Sequence, residues 1–200
     1  MSPSSNAPLA YTNLWTTGQL AVMSLMCSVA ALLSFVQIPI MPAAPFLTYD
    51  PSLVPAMICG FAFGPAAGCA VGAMTAVIHG MLLGEWVGSI MNIVATFCFI
   101  APAALVYRRM HTFAGAASGL VVASLGATAA SIAANLTIGV AFWYGSVDAI
   151  APMIAPVLVP FNLVKFTLDA VLVMLAYKSV SNLITPKKRR VEGRRARARA

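Results

Sequence analysis

Charged side chains are almost missing from the first 177 residues, where only Asp50, Glu85, Arg108, Arg109, Asp148, Lys165 and Asp169 interrupt an otherwise neutral chain. In lipid, a backbone must satisfy its own hydrogen bonds, which restricts a spanning chain to helices or a closed barrel. Apolar runs near the roughly 20 residues needed to cross a bilayer select the helix. The 200 residues are 60% hydrophobic and 8% charged, with a mean hydropathy of +0.90. Soluble domains are about half apolar and a quarter charged, so the chain reads as an all-α integral membrane protein.

Six segments follow, at 18–38, 53–64, 66–83, 88–107, 114–143 and 152–178. After the first, Pro39, Pro42, Pro45 and Pro51 forbid a regular helix and mark a long loop. The second is short for a span and turns through FGPAAG directly into the third; interrupted spans are where membrane binding sites tend to be built. The fifth is longer than a bilayer requires, so it must tilt, break or project.

The formal charge of +7 belongs to a tail: eight of the twelve basic residues lie in the last fourteen, KKRRVEGRRARARA. With Arg108, Arg109 and Lys178 it falls on one face, and Asp50, Glu85 and Asp148 on the other. The excess of Lys and Arg marks the cytosolic side, so six transmembrane helices with both termini cytoplasmic are expected. The chain then divides into a 1–17 N-terminal cytosolic segment, an 18–180 six-helix membrane domain and a 181–200 basic cytosolic tail. The tail suits anionic lipid headgroups. It lacks the interleaved aromatics of a nucleic-acid binder, so no nucleic acid partner is expected.

Lys165 is the most informative residue, because a cation within a span is costly and is usually kept for a pathway, a ligand or a counter-ion. Asn162 and Asp169 lie three before and four after it, on one helical stripe. Two readings stand: a Lys165–Asp169 pair packed against a neighbouring helix, or Asp169 steadying Lys165 while Asn162 and Lys165 face a ligand. Pro160 loosens the first turn of this helix. Asn135 and Asn92 are further amides in apolar runs, suited either to a bond between helices or to a ligand. In the loop PFLTYDPS, Phe46, Tyr49 and Asp50 suit interface anchoring or stacking on a flat ligand. His79 reads as an interfacial or core histidine.

In the first segment Ser24 and Ser28, and Cys27 and Ala31, are small residues four apart, a spacing that permits close helix approach within the protein or to a partner. Cys27, Cys59, Cys69 and Cys98 sit singly as packing residues, with no metal-ligand spacing. Phosphate-loop, HExxH and GxSxG motifs are missing, so no enzyme activity is expected.

These residues in this order resemble the substrate-binding S components of energy-coupling-factor (ECF) vitamin transporters, most closely the riboflavin-specific ones. The likeness runs over about 18–180 and rests on PFLTYDPSLVPAMICGFAFGPAAG, on GSIMNIVATFCFIAPAALVYRR and, most specifically, on the PFNxxK opening of VPFNLVKFTLDAVL. It implies a multi-pass subunit of the prokaryotic plasma membrane that binds riboflavin as transported ligand and has no cofactor of its own. It further implies docking on the transmembrane coupling protein EcfT with two cytosolic ATPases. By motif, Asn162, Lys165 and Asn135 would bond the flavin, with Asn92 and the lid residues Leu47, Tyr49 and Asp50 completing the site. Ser24, Cys27, Ser28 and Ala31 would form the partner contact. The third span departs from the pattern, with Gly72, Thr75 and Ala76 where polar or charged residues are expected and His79 alone keeping the pattern. Competing expectations are another vitamin, such as pantothenate or a thiamine precursor, and a proton-coupled secondary carrier dependent on Asp169.

Overall fold

The structure, a computed structural model, describes residues 15–42 and 44–184, with side chains to residue 176. The basic tail and most of the N-terminal segment expected above lie outside the described residues, as does the side chain of Lys178.

Helix α1 (Thr17–Leu33) opens with a capping box: Thr16 Oγ1 accepts from the Gln19 amide, and the Gln19 side chain accepts from the Thr16 amide. It stops five residues short of the expected end. Ser34 turns its hydroxyl back onto the Ala31 carbonyl at 2.7 Å, and the proline-rich loop begins. That loop contains a minimal antiparallel ladder, β1 (Ile38–Pro39) on β2 (Thr48–Tyr49), in the register Ile38 to Tyr49 and Pro39 to Thr48.

Helix α2 (Leu53–Phe63) has eleven residues, about half a bilayer at 1.5 Å per residue. Gly64, at φ 101°, reverses the chain, and Pro65 begins α3 (Pro65–Leu83). The two helices touch backbone to backbone: a Cβ on Gly68 would lie 2.7 Å from Gly60 Cα and 2.8 Å from the Ala56 carbonyl. Helix α4 (Trp86–Met110) then packs along α3 and α5 (Phe113–Ala134).

The overlong fifth segment resolves by breaking its pitch. From Asn135 to Tyr144 the α-helix widens into i to i+5 turns, the π-type geometry that recurs at functional sites. The sixth begins earlier than expected, with α6 (Val147–Met153), and passes through a second wide turn, Ile154–Leu158, into α7 (Val159–Ile184). Pro152, Pro156 and Pro160 recur through this stretch, each withholding an amide from the normal ladder.

Counted as continuous rods there are six among the described residues, as expected. Four of them, Pro65–Leu83, Trp86–Met110, Phe113–Tyr144 and Val147–Ala176, are long and apolar enough to cross a membrane. Helix α7 runs on to Ile184, past the expected domain boundary at 180. Phe99, Ile100, Met57, Leu120 and Phe166 fill the core among many alanines. At one end the Gly64 turn meets the Arg108–Arg109 end of α4, with the Phe61 and Tyr107 rings 4.5 Å apart. At the other end lie the proline-rich loop and the turns at Gly84 and Gly145, and between them the bundle opens.

Candidate functional site

The opening is a cavity of about 740 Å³, within the range of about 300–1,000 Å³ typical of small-molecule sites. Its wall draws on the loop (Phe46, Leu47, Thr48, Asp50), on α4 (Trp86, Met91, Asn92), on the wide turns (Asn135, Trp143, Tyr144) and on α7 (Phe161, Asn162, Lys165). Of the seven residues that the resemblance assigned to the ligand site, six are brought together here: Leu47, Asp50, Asn92, Asn135, Asn162 and Lys165. The seventh, Tyr49, is not. It is buried beneath the cavity, where its hydroxyl donates to Asp169 Oδ1 at 3.0 Å. Adjacent residues of an extended strand point to opposite faces, so when Thr48 and Asp50 line the cavity, Tyr49 must turn away.

The charge pairing also differs from expectation. Lys165 Nζ bonds Asp50 Oδ2 at 3.1 Å, across 115 residues of sequence, and not Asp169 one turn along its own helix. The loop folds down onto α7 and supplies the nearer carboxylate. Burial pushes the Asp50 carboxyl up, but the Lys165 ammonium, with bonds from the Ser52 amide and hydroxyl, outweighs it and holds the group below the usual 3.8. Burial, then the charge of Asp169, raises the Tyr49 phenol, which therefore stays a donor.

Asn135 and Asn162 are held in the same way. Each side-chain amide donates to the carbonyl four residues back in its own helix: Asn135 to Ser131 at 2.9 Å and Asn162 to Leu158 at 2.8 Å. Both sit near the junction of a wide turn with a regular helix. One donor is thereby spent on orientation, leaving each amide oxygen and a second N–H. Such a group can pair with a hydroxyl or with one edge of a heterocycle.

His79, read as a core residue, is buried and also reaches the cavity wall. Its Nδ1 lies 3.0 Å from Ser34 Oγ. That hydroxyl has a single proton, given to the Ala31 carbonyl, so in the neutral ring Nδ1–H must donate. Nε2 is then an acceptor.

Phe46 apart, the aromatic wall was not anticipated. Trp86 and Trp143, about half exposed at 53% and 54%, flank the mouth with Tyr144, and Phe161 lines the interior. In sequence Trp86, Trp143 and Tyr144 are part of the turns GEWVGS and FWYGS, where an aromatic reads as an interface anchor, and Phe161 is part of the PFNxxK opening. For the first three the only signal was their adjacency to two turns at one end of the bundle.

The expected partner face of α1 divides. Cys27 points inward, with Sγ 3.9 Å from the Val71 carbonyl and 3.8 Å from Thr75 Oγ1, so it packs α1 on α3. Ser24 and Ser28 are exposed and Ala31 half-buried, beside exposed Leu25 and Leu32. All four cysteines are free, and no cluster of metal-ligating side chains occurs among the described residues.

Three comparisons bear on this arrangement. The model of the family described as "ECF transporter, substrate-specific component" matches residues 18–177. The riboflavin transporter RibU of Staphylococcus aureus (strain TCH60) is 26% identical over 180 residues, covering 86% of this chain and 95% of its own length. The riboflavin transporter FmnP of Bacillus subtilis (strain 168) is 29% identical over 158 residues, covering 74% and 83%. A solved structure of the S component of a bacterial ECF transporter superposes with a TM-score of 0.73 at 25% identity, covering 84% of this chain and 98% of that one.

Proposed function

The chain belongs to the substrate-specific components of ECF transporters, and on that footing we propose that its cavity binds riboflavin for uptake. It is a transport subunit of the cell membrane, multi-pass and not an enzyme. The observation that carries the ligand is the convergence of Asn135, Asn162 and Lys165 on one cavity walled by Trp86, Trp143, Tyr144 and Phe161. Flat rings suit a tricyclic flavin, and the amides suit its ribityl hydroxyls and the carbonyls of its pyrimidine edge. Because Lys165 is already paired with Asp50, it donates a hydrogen bond without requiring an anionic ligand. The names of the two relatives support the same vitamin.

Asn92, Leu47 and Asp50 complete the contacts in this reading, with the proline-rich loop as the outer lid. The cavity end faces outward and both termini lie in the cytosol, as the placement of Arg108 and Arg109 supports. The exposed face of α1 around Ser24, Ser28 and Ala31 meets EcfT, whose two cytosolic ATPases drive release.

The test is the visible absorption spectrum of the detergent-purified, extensively washed protein, followed by titration with riboflavin. Flavin bands released on denaturation, or quenching of tryptophan fluorescence by added riboflavin through Trp86 and Trp143, are the expected results. A colourless protein whose fluorescence riboflavin leaves unchanged would overturn the assignment and return the site to other vitamins.

A further inference from the structure

Asp169 is fully buried, at 0% exposure, on the stripe of α7 that carries Asn162 and Lys165. It does not line the cavity. Oδ1 accepts from Tyr49, and Oδ2 has no hydrogen-bond partner. A carboxylate in an apolar span is costly, and an orphaned buried oxygen adds to that cost, so the group needs a reason to be there.

The reason lies in where the loop is fastened. Tyr49 and Asp50 are consecutive, and their partners Asp169 and Lys165 are one helical turn apart. Two adjacent loop residues are therefore pinned to two points on one rigid helix. A single bond would leave a pivot, whereas two fix both the place and the direction of the chain. Leu47 and Thr48, on the cavity wall, immediately precede this double attachment. Their distance from Asn162 and Lys165 is thus set by a bond that lies below the cavity. The Ile38 to Tyr49 pairing extends the same constraint to β1.

We propose that Tyr49 and Asp169 are positioning residues of the ligand site, holding the root of the outer loop in its binding geometry without touching the ligand. This rests on the reading of the cavity as the riboflavin site. The segment from 48 to 52 then stays attached to α7 as ligand enters. Loosening the root lets bound ligand escape while leaving the encounter intact.

The experiment is stopped-flow fluorescence of riboflavin binding to the purified full-length protein, comparing wild type, Tyr49→Phe, Asp169→Asn, Asp169→Ala and the Tyr49→Phe/Asp169→Ala double variant. Tyr49→Phe should leave association near the wild-type rate and raise dissociation roughly tenfold, the equivalent of one hydrogen bond. Asp169→Asn, which still offers the phenol an acceptor, should restore most of the slow dissociation that Asp169→Ala loses. The double variant should be no faster than the worse single one. Dissociation unchanged in Tyr49→Phe, additive effects, or a smaller binding-competent fraction with wild-type rates would each overturn the proposal. Hydrogen exchange of amides 38–52 in the ligand-free protein tests it separately from the vitamin. Faster exchange in Tyr49→Phe is expected, and unchanged exchange overturns the proposal even if riboflavin proves not to be the ligand.

Discussion

Replacing Lys165 by methionine separates what the ammonium does for the fold from what it does for the ligand. Methionine keeps most of the length and removes the charge, leaving Asp50 enclosed opposite an apolar group. At 3.1 Å and an effective dielectric of about 20, the direct attraction is about 5 kcal/mol, much of it offset by desolvation of both groups. Removing one partner of such a buried pair costs about 3–5 kcal/mol, because the survivor remains buried and uncompensated. For a chain of this size that corresponds to a fall in melting temperature on the order of 10 °C. Adding Asp50→Asn removes the stranded charge and should recover most of the loss, a coupling that a double-mutant cycle reads directly. Riboflavin affinity should not recover with it, since the donor is gone; the deficit should stay near 1.5–3 kcal/mol, the scale of a hydrogen bond from a charged group. Thermal melts of the ligand-free protein and fluorescence titrations give the two quantities independently. A Lys165→Met variant as stable as wild type, or a double variant less stable than the single, would refute the pairing and with it the account of how the loop is held.

Three further outcomes are expected. Asn135→Ala and Asn162→Ala should each weaken riboflavin binding by about 1 kcal/mol, as for a neutral hydrogen bond; wild-type affinity in both, measured by the same titration, would remove the amides from the site. Ser28→Leu, on the exposed face of α1, should leave binding by purified protein unchanged and impair uptake by cells, and normal uptake would free that face of a partner. Because the Asp50 carboxyl is lower in the fold than its usual 3.8, its contribution to stability is complete above that value and is lost only as pH falls through the lower folded one. Melting temperature should therefore hold level across neutral and mildly acid pH as far as this pair is concerned, and a drop near neutral pH that disappears in Asp50→Asn would contradict it.

Much of the protein is decided locally and could be read directly. Whether a stretch is apolar for about 20 residues is a property of that stretch, so the six rods and the turn at Gly64 follow from composition, glycine and proline, while the excess length of the fifth segment was legible and its resolution by a wide turn was not. The stripe Asn162, Lys165 and Asp169 follows from helical spacing alone, and the likeness of the PFNxxK opening marks it as the place to look for a ligand. The same locality explains what was not legible. Lys165 lies one turn from Asp169 in sequence and on the same face, yet its ammonium pairs with Asp50 from a loop 115 residues away. Tyr49, between two cavity residues, turns to the buried side because successive residues of a strand alternate. Trp86 and Trp143 come from different turns that meet only when the bundle closes, and Cys27 faces α3 although its neighbours four residues apart suggested a partner. Hydrophobicity and helical period act over a few residues and are written in the chain. The partner of a buried charge is set by which segment covers it, and that is decided only when the helices and the loop are packed together.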